Sequence, residues 1–438
     1  MYDSKSYIVN LCWNLINITN CRIVSQEKNL NVKIPIGTVV TGKIVDVSYN
    51  KSKEKYLESS FIARYKNYLS PRVLYLSRGV YEFKSFLNDV GTYNLEVRLD
   101  FQNSFGTCNC NMKNSVILFQ NIANTSVHVV PNPNYFIKRQ VELPNACRWL
   151  VMNSTFNCVP YFEKWDWIRL PNKNYWIHID GDSTLQRGEV QDFIFELNNR
   201  TKKNVKSQLV KCIDLKRGKV KKRKEACGII HSIGLRKLGN FINVFEFNMK
   251  NGKNILLSLA SYTGTGKILN ETQWNSLFKY IDKHRKPDTV ILNYALHFPH
   301  KYSCQNNKYS NHVKKIFLNI RKVYQGNILW HPGLSTQFEN LPPYGAVYES
   351  VAPKPWPLGS HIVDPKWKCR TNHRMYLMRD YVSSVSKKFN ITLLKDTLDI
   401  SSVMFRDTID NRHYDGGINN KLKQRTTINV LNYVLQNL

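Results

Sequence analysis

Short segments in which apolar and polar residues alternate fill the first third of the chain. The clearest is DVGTYNLEVRLDF, whose apolar residues recur at every second position and would therefore share one face of a strand. Those residues are Tyr93, Leu95, Val97 and Leu99. The segments TVVTGKIVDVSY, SSFIARY, GVYEFKSF and SVHVV follow a similar pattern, with Gly, Asn and Pro between them. Regular short strands separated by turns predict an antiparallel β-sandwich over residues 30–141.

After a segment rich in Pro, Asn and Trp, which we interpret as a connector at residues 142–171, the pattern changes. The strand candidates YWIHID, NILLSLASY, DTVILNYAL and NITLLKD are almost continuously apolar and alternate with helical patterns. One helix would begin with a capping box of Asn270 and Gln273. Its predicted buried face is Trp274, Leu277, Phe278 and Ile281, and that of a later helix is Met375, Met378, Val382, Val385 and Phe389. This alternation predicts a mostly parallel sheet covered on both faces by helices, over residues 172–438.

A chain of 438 residues is long enough for two or three domains, and it contains no apolar run of eighteen residues that would span a membrane. The segment MYDSKSYIVNLCWNLIN has an early acidic residue and no clear cleavage site, so we do not predict a signal peptide there. The formal net charge of +31 predicts a polyanionic partner, namely nucleic acid, an acidic glycan or an anionic membrane surface. The densest basic run, Lys216 to Lys224, is open to two interpretations, a nuclear signal or a solvated loop.

Ten cysteines, none in a CxxC pair, disfavour a zinc site and favour disulfides in an oxidising compartment. Their connectivity cannot be derived from the sequence, although Cys147 with Cys158 and Cys212 with Cys227 are candidate local pairs. Glycosylation sequons add weak support for secretion, because a chain this rich in Asn would contain nearly as many by chance. They begin at Asn17, Asn50, Asn124, Asn153, Asn199, Asn270 and Asn390. We therefore expect a protein that is secreted or resident in the lumen of the secretory pathway.

The segment NYWIHIDGDSTLQRGEVQDFIFEL places Ser183 just after a predicted buried strand and before a predicted helix. In an open α/β sheet, reactive groups collect at the carboxyl ends of the strands. A serine at such a corner can act as a nucleophile if a base takes its proton and donors stabilise the oxyanion. The alternative is that Asp182 or Ser183 only caps the helix.

A second motif, near the end of the chain, supports the nucleophile. The segment MFRDTIDNRHYDGG contains Asp410 and His413 three residues apart, after the last predicted strand. This spacing allows the carboxylate to orient the imidazole while the other ring nitrogen faces a serine. Together, the two motifs predict a Ser-His-Asp site at the edge of the α/β sheet.

Gly181-Asp182-Ser183 and the closing motif from Asp410 to His413 resemble the SGNH-like PC-esterase families, and more closely the neurexophilin and PC-esterase (NXPE) family. The segments IGTVVTGKIVDVSYNKSKE, TVILNYALHFP and LKDTLDISSVMFRDTIDNRHYDG carry the rest of the resemblance, which extends over about residues 30 to 438. It implies an immunoglobulin-like β-sandwich followed by an SGNH-like, flavodoxin-like three-layer α/β esterase domain. The departures from the family pattern are Gln186 followed by Arg187, and Ala295 near the strand end.

The resemblance also implies roles for individual residues. Ser183 would be the nucleophile, His413 the base and Asp410 the partner of that base. Asn293 would be the oxyanion asparagine, and Gly264 or Gly266 would supply a further backbone donor unless they are only turn glycines. This chemistry needs no metal or other cofactor.

The function expected from the resemblance is hydrolysis or transfer of an O-acyl group, with acetyl the expected group, on a glycan hydroxyl. A transferase would need an acyl donor such as acetyl-CoA, and the positive charge favours an acidic glycan. The alternative from another class is a catalytically inactive secreted glycoprotein that acts as an interaction module. A nucleic-acid binder rests on charge alone, because the sequence has no zinc-finger, RNP-like or helix-turn-helix signature.

Overall fold

The structure is a computed structural model, and its chain divides into two compact units. One unit comprises residues 1–163, 341–374 and 402–404, and the other comprises residues 164–340, 375–401 and 405–438. The described residues are 7–15, 18–25, 31–47, 60–65, 71, 73–77, 79–87, 90–102, 116–132, 147–152, 155–160, 173–181, 194, 197, 209–214, 219–221, 230–231, 234–235, 241–249, 251–260, 268–293, 307–333 and 372–394.

The first unit contains a β-sandwich made of two sheets. The five-stranded sheet has the order β2-β1-β4-β7-β6 and is formed by Tyr7–Leu15 (β1), Ile18–Ile23 (β2), Thr38–Asp46 (β4), Leu74–Ser77 (β6) and Val80–Leu87 (β7). The four-stranded sheet has the order β3-β9-β8-β5 and is formed by Asn31–Pro35 (β3), Ser60–Tyr65 (β5), Gly91–Gln102 (β8) and Val116–Val130 (β9). One hydrophobic core contains residues from both sheets, as expected for sheets that pack face to face.

The predicted alternation is confirmed in the sandwich. Tyr93, Leu95, Val97 and Leu99 have no exposed surface, whereas the neighbouring Thr92 and Asn94 are exposed; Arg98, near the end of the strand, is also buried. Two strands precede the predicted start of the sandwich at residue 30, and a disulfide joins their directly opposed residues Cys12 and Cys21. The pairing is antiparallel throughout except between β3 and β9, which run parallel. Neither the first two strands nor this parallel pair was predicted from the sequence.

The predicted connector includes a hairpin of Cys147–Met152 (β10) and Thr155–Pro160 (β11). Its register places Cys147 opposite Pro160 and Cys158 opposite Trp149. The side chains of Cys147 and Cys158 lie outside the described residues, as does Cys227, so both candidate disulfides stay predictions.

The second unit contains an eight-stranded mixed sheet with the order β14-β13-β17-β18-β12-β19-β20-β21. Its strands are Tyr175–Asp180 (β12), Leu209–Asp214 (β13), Lys219–Lys221 (β14), Phe241–Asn248 (β17), Asn254–Ala260 (β18), Thr289–Asn293 (β19), Asn327–His331 (β20) and Thr392–Leu393 (β21). A separate short hairpin is formed by Ile230–His231 (β15) and Gly234–Leu235 (β16).

The prediction of a mostly parallel sheet holds on one side of this sheet only. Strands β18, β12, β19, β20 and β21 are mutually parallel. On the other side β17, β13 and β14 are added by antiparallel pairing. The basic run therefore includes an edge strand, Lys219–Lys221, and is not a loop throughout.

Helices Glu271–Ile281 (α1), Asn307–Val323 (α2) and Asn372–Ser386 (α3) contribute to the core of this unit. The capping box of α1 is confirmed, since Asn270 and Gln273 exchange two hydrogen bonds of 2.9 Å. All four residues predicted for the buried face of α1 are buried. Helix α3 likewise buries the predicted residues Met375, Met378, Val382 and Val385, whereas Phe389 lies in a following 3₁₀ turn. Among the residues described, no helix has both the length and the apolar character needed to span a bilayer.

Candidate active site

Four strand ends meet at one edge of the α/β sheet, because β12, β18, β19 and β20 are parallel neighbours. We call this edge, formed by Asp180, Ala260, Asn293 and His331, the carboxyl edge. Asp180 is paired with Ala260 on one side and Leu292 on the other, and Asn293 is paired with His331. Asp180, Asn293 and His331 have no exposed surface.

The order of the strands makes β12 a topological switch point. The chain leaves β12 to form β13, β17 and β18 on one side of it, and then crosses to the other side to form β19 and β20. In open α/β sheets, ligands bind outside the carboxyl ends of the strands at such a point. The carboxyl end of β12 is therefore at the position where this fold most often places a site.

The segment that carries the predicted nucleophile follows β12 directly in the sequence. Gly181 is buried, and its backbone N–H donates to the Ala260 carbonyl at 3.2 Å, which extends the parallel ladder by one residue. Ile194 and Leu197, further along the same segment, are helical and buried, in agreement with the predicted helix after Ser183. Ser183 itself lies two residues beyond the last described residue of this strand end.

Five of the six predicted site residues are outside the described part of the chain. They are Ser183, Gly264, Gly266, Asp410 and His413. The Ser-His-Asp site therefore stays a prediction. Only the predicted oxyanion residue, Asn293, can be placed at the carboxyl edge.

Asn293 is held by a histidine on the neighbouring strand. Its Nδ2 lies 3.2 Å from Nδ1 of His331, and the Gly333 backbone N–H donates to the same Nδ1 at 3.0 Å. Because a backbone N–H can only donate, His331 Nδ1 must be an acceptor, and the neutral ring then carries its proton on Nε2. The Asn293 side chain must accordingly present its NH₂ group, rather than its oxygen, to the ring. The bond to His331 occupies one of the two hydrogens of that group.

His331 was missed by the sequence analysis. The signal that identified the other strand ends is nevertheless present, since NILWH is an apolar run that ends in a polar residue. Asp180 shows the same feature at the end of YWIHID. The contact between residues 293 and 331 depends on the register of two strands, and a single sequence does not specify that register.

A polar network supports β12 behind the carboxyl edge. Trp176 Nε1 donates to Ser258 Oγ at 2.8 Å, and His178 Nδ1 lies 2.8 Å from the same oxygen. Burial lowers the pKa of His178 to about 3, so the ring is neutral in the folded protein near neutral pH. Its ring contacts Trp274 and Phe278 edge-on, with centroid distances of 6.2 and 5.7 Å. This histidine is part of the packing between β12 and α1.

Comparisons with known proteins assign no family to the chain. No family model matches it, and no curated protein matches it. Among solved structures, it is similar to a peptidoglycan O-acetylesterase with 9% identity and a TM-score of 0.32, over 61% of this chain and 93% of that one. It is also similar to a proposed glycoside hydrolase from Bacteroides vulgatus with 9% identity and a TM-score of 0.18, over 81% of this chain and 54% of that one. TM-scores below 0.5 do not establish a shared fold.

Proposed function

We propose that the chain is an O-acyl esterase or O-acyltransferase that acts on glycan hydroxyls through an acyl-enzyme on Ser183. Acetyl is the expected acyl group. His413 is the general base, Asp410 orients it, and Asn293 donates to the oxyanion. The residues Gly264 and Gly266 are candidates for an additional backbone donor.

The observation that carries this proposal is that Gly181, the first residue of the Gly181-Asp182-Ser183 motif, extends the strand at the switch point of the sheet. The strand before it is completely buried, and the strands on both sides of it are parallel to it. A nucleophile that immediately follows such a strand lies outside the carboxyl edge, where parallel sheets bind their ligands. A helix that begins after Ser183 would also direct its backbone N–H groups at developing negative charge.

The reaction follows the general scheme of serine acyl transfer. Ser183 Oγ attacks the acyl carbonyl carbon, and its proton passes to His413. The tetrahedral intermediate collapses when the leaving group accepts that proton, and acyl-Ser183 remains. Water or a sugar hydroxyl then attacks the acyl-enzyme after His413 removes a proton, which regenerates the serine. Water gives hydrolysis, whereas a sugar hydroxyl gives transfer from a donor such as acetyl-CoA.

The bond between Asn293 and His331 supports the oxyanion role. An oxyanion donor is effective when its direction is fixed before the reaction begins, because no reorganisation is then needed. His331 fixes the rotation of the Asn293 amide by accepting one of its hydrogens. In this proposal, His331 is a positioning residue, and the amide group of Asn293 is the donor to the oxyanion.

The fold assignment expected from the resemblance enters the same proposal. The orders β1-β4-β7-β6 and β9-β8-β5 correspond to the A-B-E-D and G-F-C orders of immunoglobulin domains, when β1 is taken as strand A and β9 as strand G. This topology supports an immunoglobulin-like sandwich. The mixed sheet, in which five neighbouring strands on one side are parallel, supports an SGNH-like domain. The two domains together support membership of the NXPE family. The proposal further includes that the protein is secreted and that its glycan partner is acidic.

The test is intact mass spectrometry of the full chain after incubation with a fluorophosphonate, and separately with an acetyl donor. We expect one covalent adduct that peptide mapping assigns to Ser183 and that is absent in Ser183→Ala. Retention of the native melting temperature by Ser183→Ala would show that the missing adduct is not due to unfolding. A folded wild-type protein that remains unlabelled by both reagents would contradict the proposal and favour the inactive interaction module.

A further inference from the structure

A groove of about 660 Å³ lies at the opposite edge of the α/β sheet from the carboxyl edge. We call it the amino-edge groove, because Asn174 and Asn254 in its lining stand at the beginning of β12 and β18. Its volume is within the range of roughly 300 to 1,000 Å³ that is usual for ligand pockets. Strand β12 has six residues, so the groove lies about 20 Å from the carboxyl edge at about 3.3 Å per residue.

The floor of the groove is a fixed set of amide and carboxylate groups. The Asn254 backbone N–H donates to Asn174 Oδ1 at 3.0 Å, and Asn254 Nδ2 donates to Glu246 Oε1 at 3.2 Å. These bonds orient three polar side chains toward the same space. The amide groups supply donors and acceptors, and the carboxylate supplies acceptors. The hydroxyl groups of a sugar, which both donate and accept, require this combination.

One wall is formed by the end of α1 and the turn that follows it. Asp282 accepts from the His284 backbone N–H at 2.9 Å and from Arg285 Nε at 3.1 Å, and Arg285 Nη1 donates to the Asn174 carbonyl at 3.4 Å. Burial by itself would raise the pKa of Asp282, but the bonds from His284 and Arg285 outweigh it and lower that pKa. The turn is therefore attached to the floor of the groove through Arg285. The Asp282 carboxylate is charged and forms an ion pair with Arg285.

The rim carries an exposed aromatic ring between exposed cations. Tyr280 lines the groove and is 41% exposed. Lys279 and Lys283 line the same groove and are exposed as well. A ring with one open face supplies contact area at a low cost in conformational entropy, and ammonium groups attract anions.

We propose that the amino-edge groove binds a saccharide that carries carboxylate or sulfate groups. The sugar hydroxyls would contact Asn174, Asn254 and Glu246, one sugar ring would lie against Tyr280, and the anionic group would face Lys279 and Lys283. The two lysines are not neutralised by Asp282, because that carboxylate is bonded to Arg285. This site is separate from the proposed acyl-transfer site, so the two proposals can be tested independently of each other.

The proposal is tested by titration calorimetry of the full chain with a heparin-derived hexasaccharide and with neutral maltohexaose. We expect the sulfated hexasaccharide to bind more tightly, with an affinity that falls as salt is raised. Tyr280→Ala should weaken binding by about three- to tenfold, and Tyr280→Phe should retain it, because the ring supplies the contact. The double variant Lys279→Gln/Lys283→Gln should weaken binding by about five- to tenfold.

The matched control is Lys314→Gln/Lys315→Gln, which removes two exposed lysines from α2 that do not line the groove. It should leave the affinity unchanged. An equal loss in this control would mean that charge anywhere on the surface recruits the ligand, and the proposal would be wrong. Equal binding of maltohexaose would contradict the anionic ligand, and no loss on Tyr280→Ala would contradict the location. Melting temperatures within about 2 °C of wild type would show that each variant is folded. Such a shift corresponds to a change in the free energy of unfolding of about 1 kcal/mol or less.

Discussion

The two units of this protein bury their strands in different ways. In the sandwich, strand β4 alternates between buried and more exposed positions, so one face of its sheet meets solvent. In the α/β unit, all residues of β12 and β19 are buried, so both faces of the central strands are covered. Within the described residues, the histidine, acidic and basic side chains with no exposed surface are His178, Asp180 and His331, and all three belong to the α/β sheet.

This difference indicates where chemistry is to be expected. A buried polar group lowers stability unless it is hydrogen-bonded, so its presence in a core calls for a reason. The sandwich satisfies ordinary packing with an apolar core from two sheets. The α/β sheet instead ends its central strands in Asp180, Asn293 and His331, at the edge where parallel sheets bind ligands. Substitutions in the two units should therefore have opposite consequences for stability and activity.

The largest effect is expected for the residues that we propose to be catalytic. Ser183→Ala and His413→Ala should each lower turnover by at least about a thousandfold, and the double variant should be little worse than either, because such groups act as a unit. The measurement is kcat with an acetyl ester substrate, together with thermal unfolding. A double variant whose loss equals the product of the two single losses would contradict a shared mechanism. Asp410→Asn should also be severe, because an amide cannot stabilise an imidazolium.

A core substitution in the sandwich should show the reverse behaviour. Tyr93→Ala removes a fully buried ring that contacts Tyr65 edge-on, at a centroid distance of 6.2 Å. We expect the free energy of unfolding to fall by about 3 to 5 kcal/mol. Denaturant unfolding followed by a sandwich-specific probe would measure it. The control is Asn94→Ala on the exposed face of the same strand, which should cost about 1 kcal/mol or less. Similar losses for both variants would contradict the packing argument.

Asn293→Ala should lower both turnover and stability. The residue is buried and hydrogen-bonded, and in our proposal it is also catalytic. We expect turnover to fall by about a hundredfold, as for the loss of one oxyanion donor. Loss of the bond to His331 should also lower the free energy of unfolding by about 1 to 3 kcal/mol. His331→Leu leaves the Asn293 amide in place and should lower kcat less, without raising KM. Unchanged turnover in Asn293→Ala would exclude the oxyanion role.

The buried His178 should make the α/β unit sensitive to acid. Above about pH 6.5 the ring is neutral in both the folded and the unfolded state. Below that pH the unfolded state binds a proton that the folded state does not take up until about pH 3. The free energy of unfolding should then fall by about 1.4 kcal/mol per pH unit, which is about 2 kcal/mol at pH 5. In His178→Gln this contribution is absent, so its stability should approach that of wild type as the pH falls. If the stability of wild type and of His178→Gln changed with pH in the same way, the acid sensitivity could not be assigned to His178.

The smallest effect is expected at the capping box of α1. Asn270→Ala removes the side-chain oxygen that accepts from the Gln273 backbone N–H and should cost about 1 kcal/mol. Because Asn270 also begins a glycosylation sequon, the control is Thr272→Ala, which abolishes the sequon and leaves the cap intact. Differential scanning calorimetry of both variants would separate the two effects. Equal destabilisation by both variants would assign the effect to the glycan instead of the cap.

Patterns that depend on neighbours in the sequence could be predicted from the sequence alone. The alternation around Tyr93, the capping box at Asn270 and the buried face of α3 are determined by residues within a few positions of one another. Each is confirmed, because a period of two or of about 3.6 directly specifies which face of an element is apolar. The first strand shows the same alternation at Tyr7, Val9, Leu11 and Trp13, although it was not predicted from the sequence.

Only the tertiary structure decided which distant residues meet. The pairing of Asn293 with His331, the parallel contact of β3 with β9, and the antiparallel addition of β17 to β18 all depend on strand order and register. The amino-edge groove likewise combines residues near 174, 246, 254 and 282, which no local pattern connects. The physical reason is that strand pairing uses backbone groups common to every residue, so the choice of partner is made by the packing of the whole core.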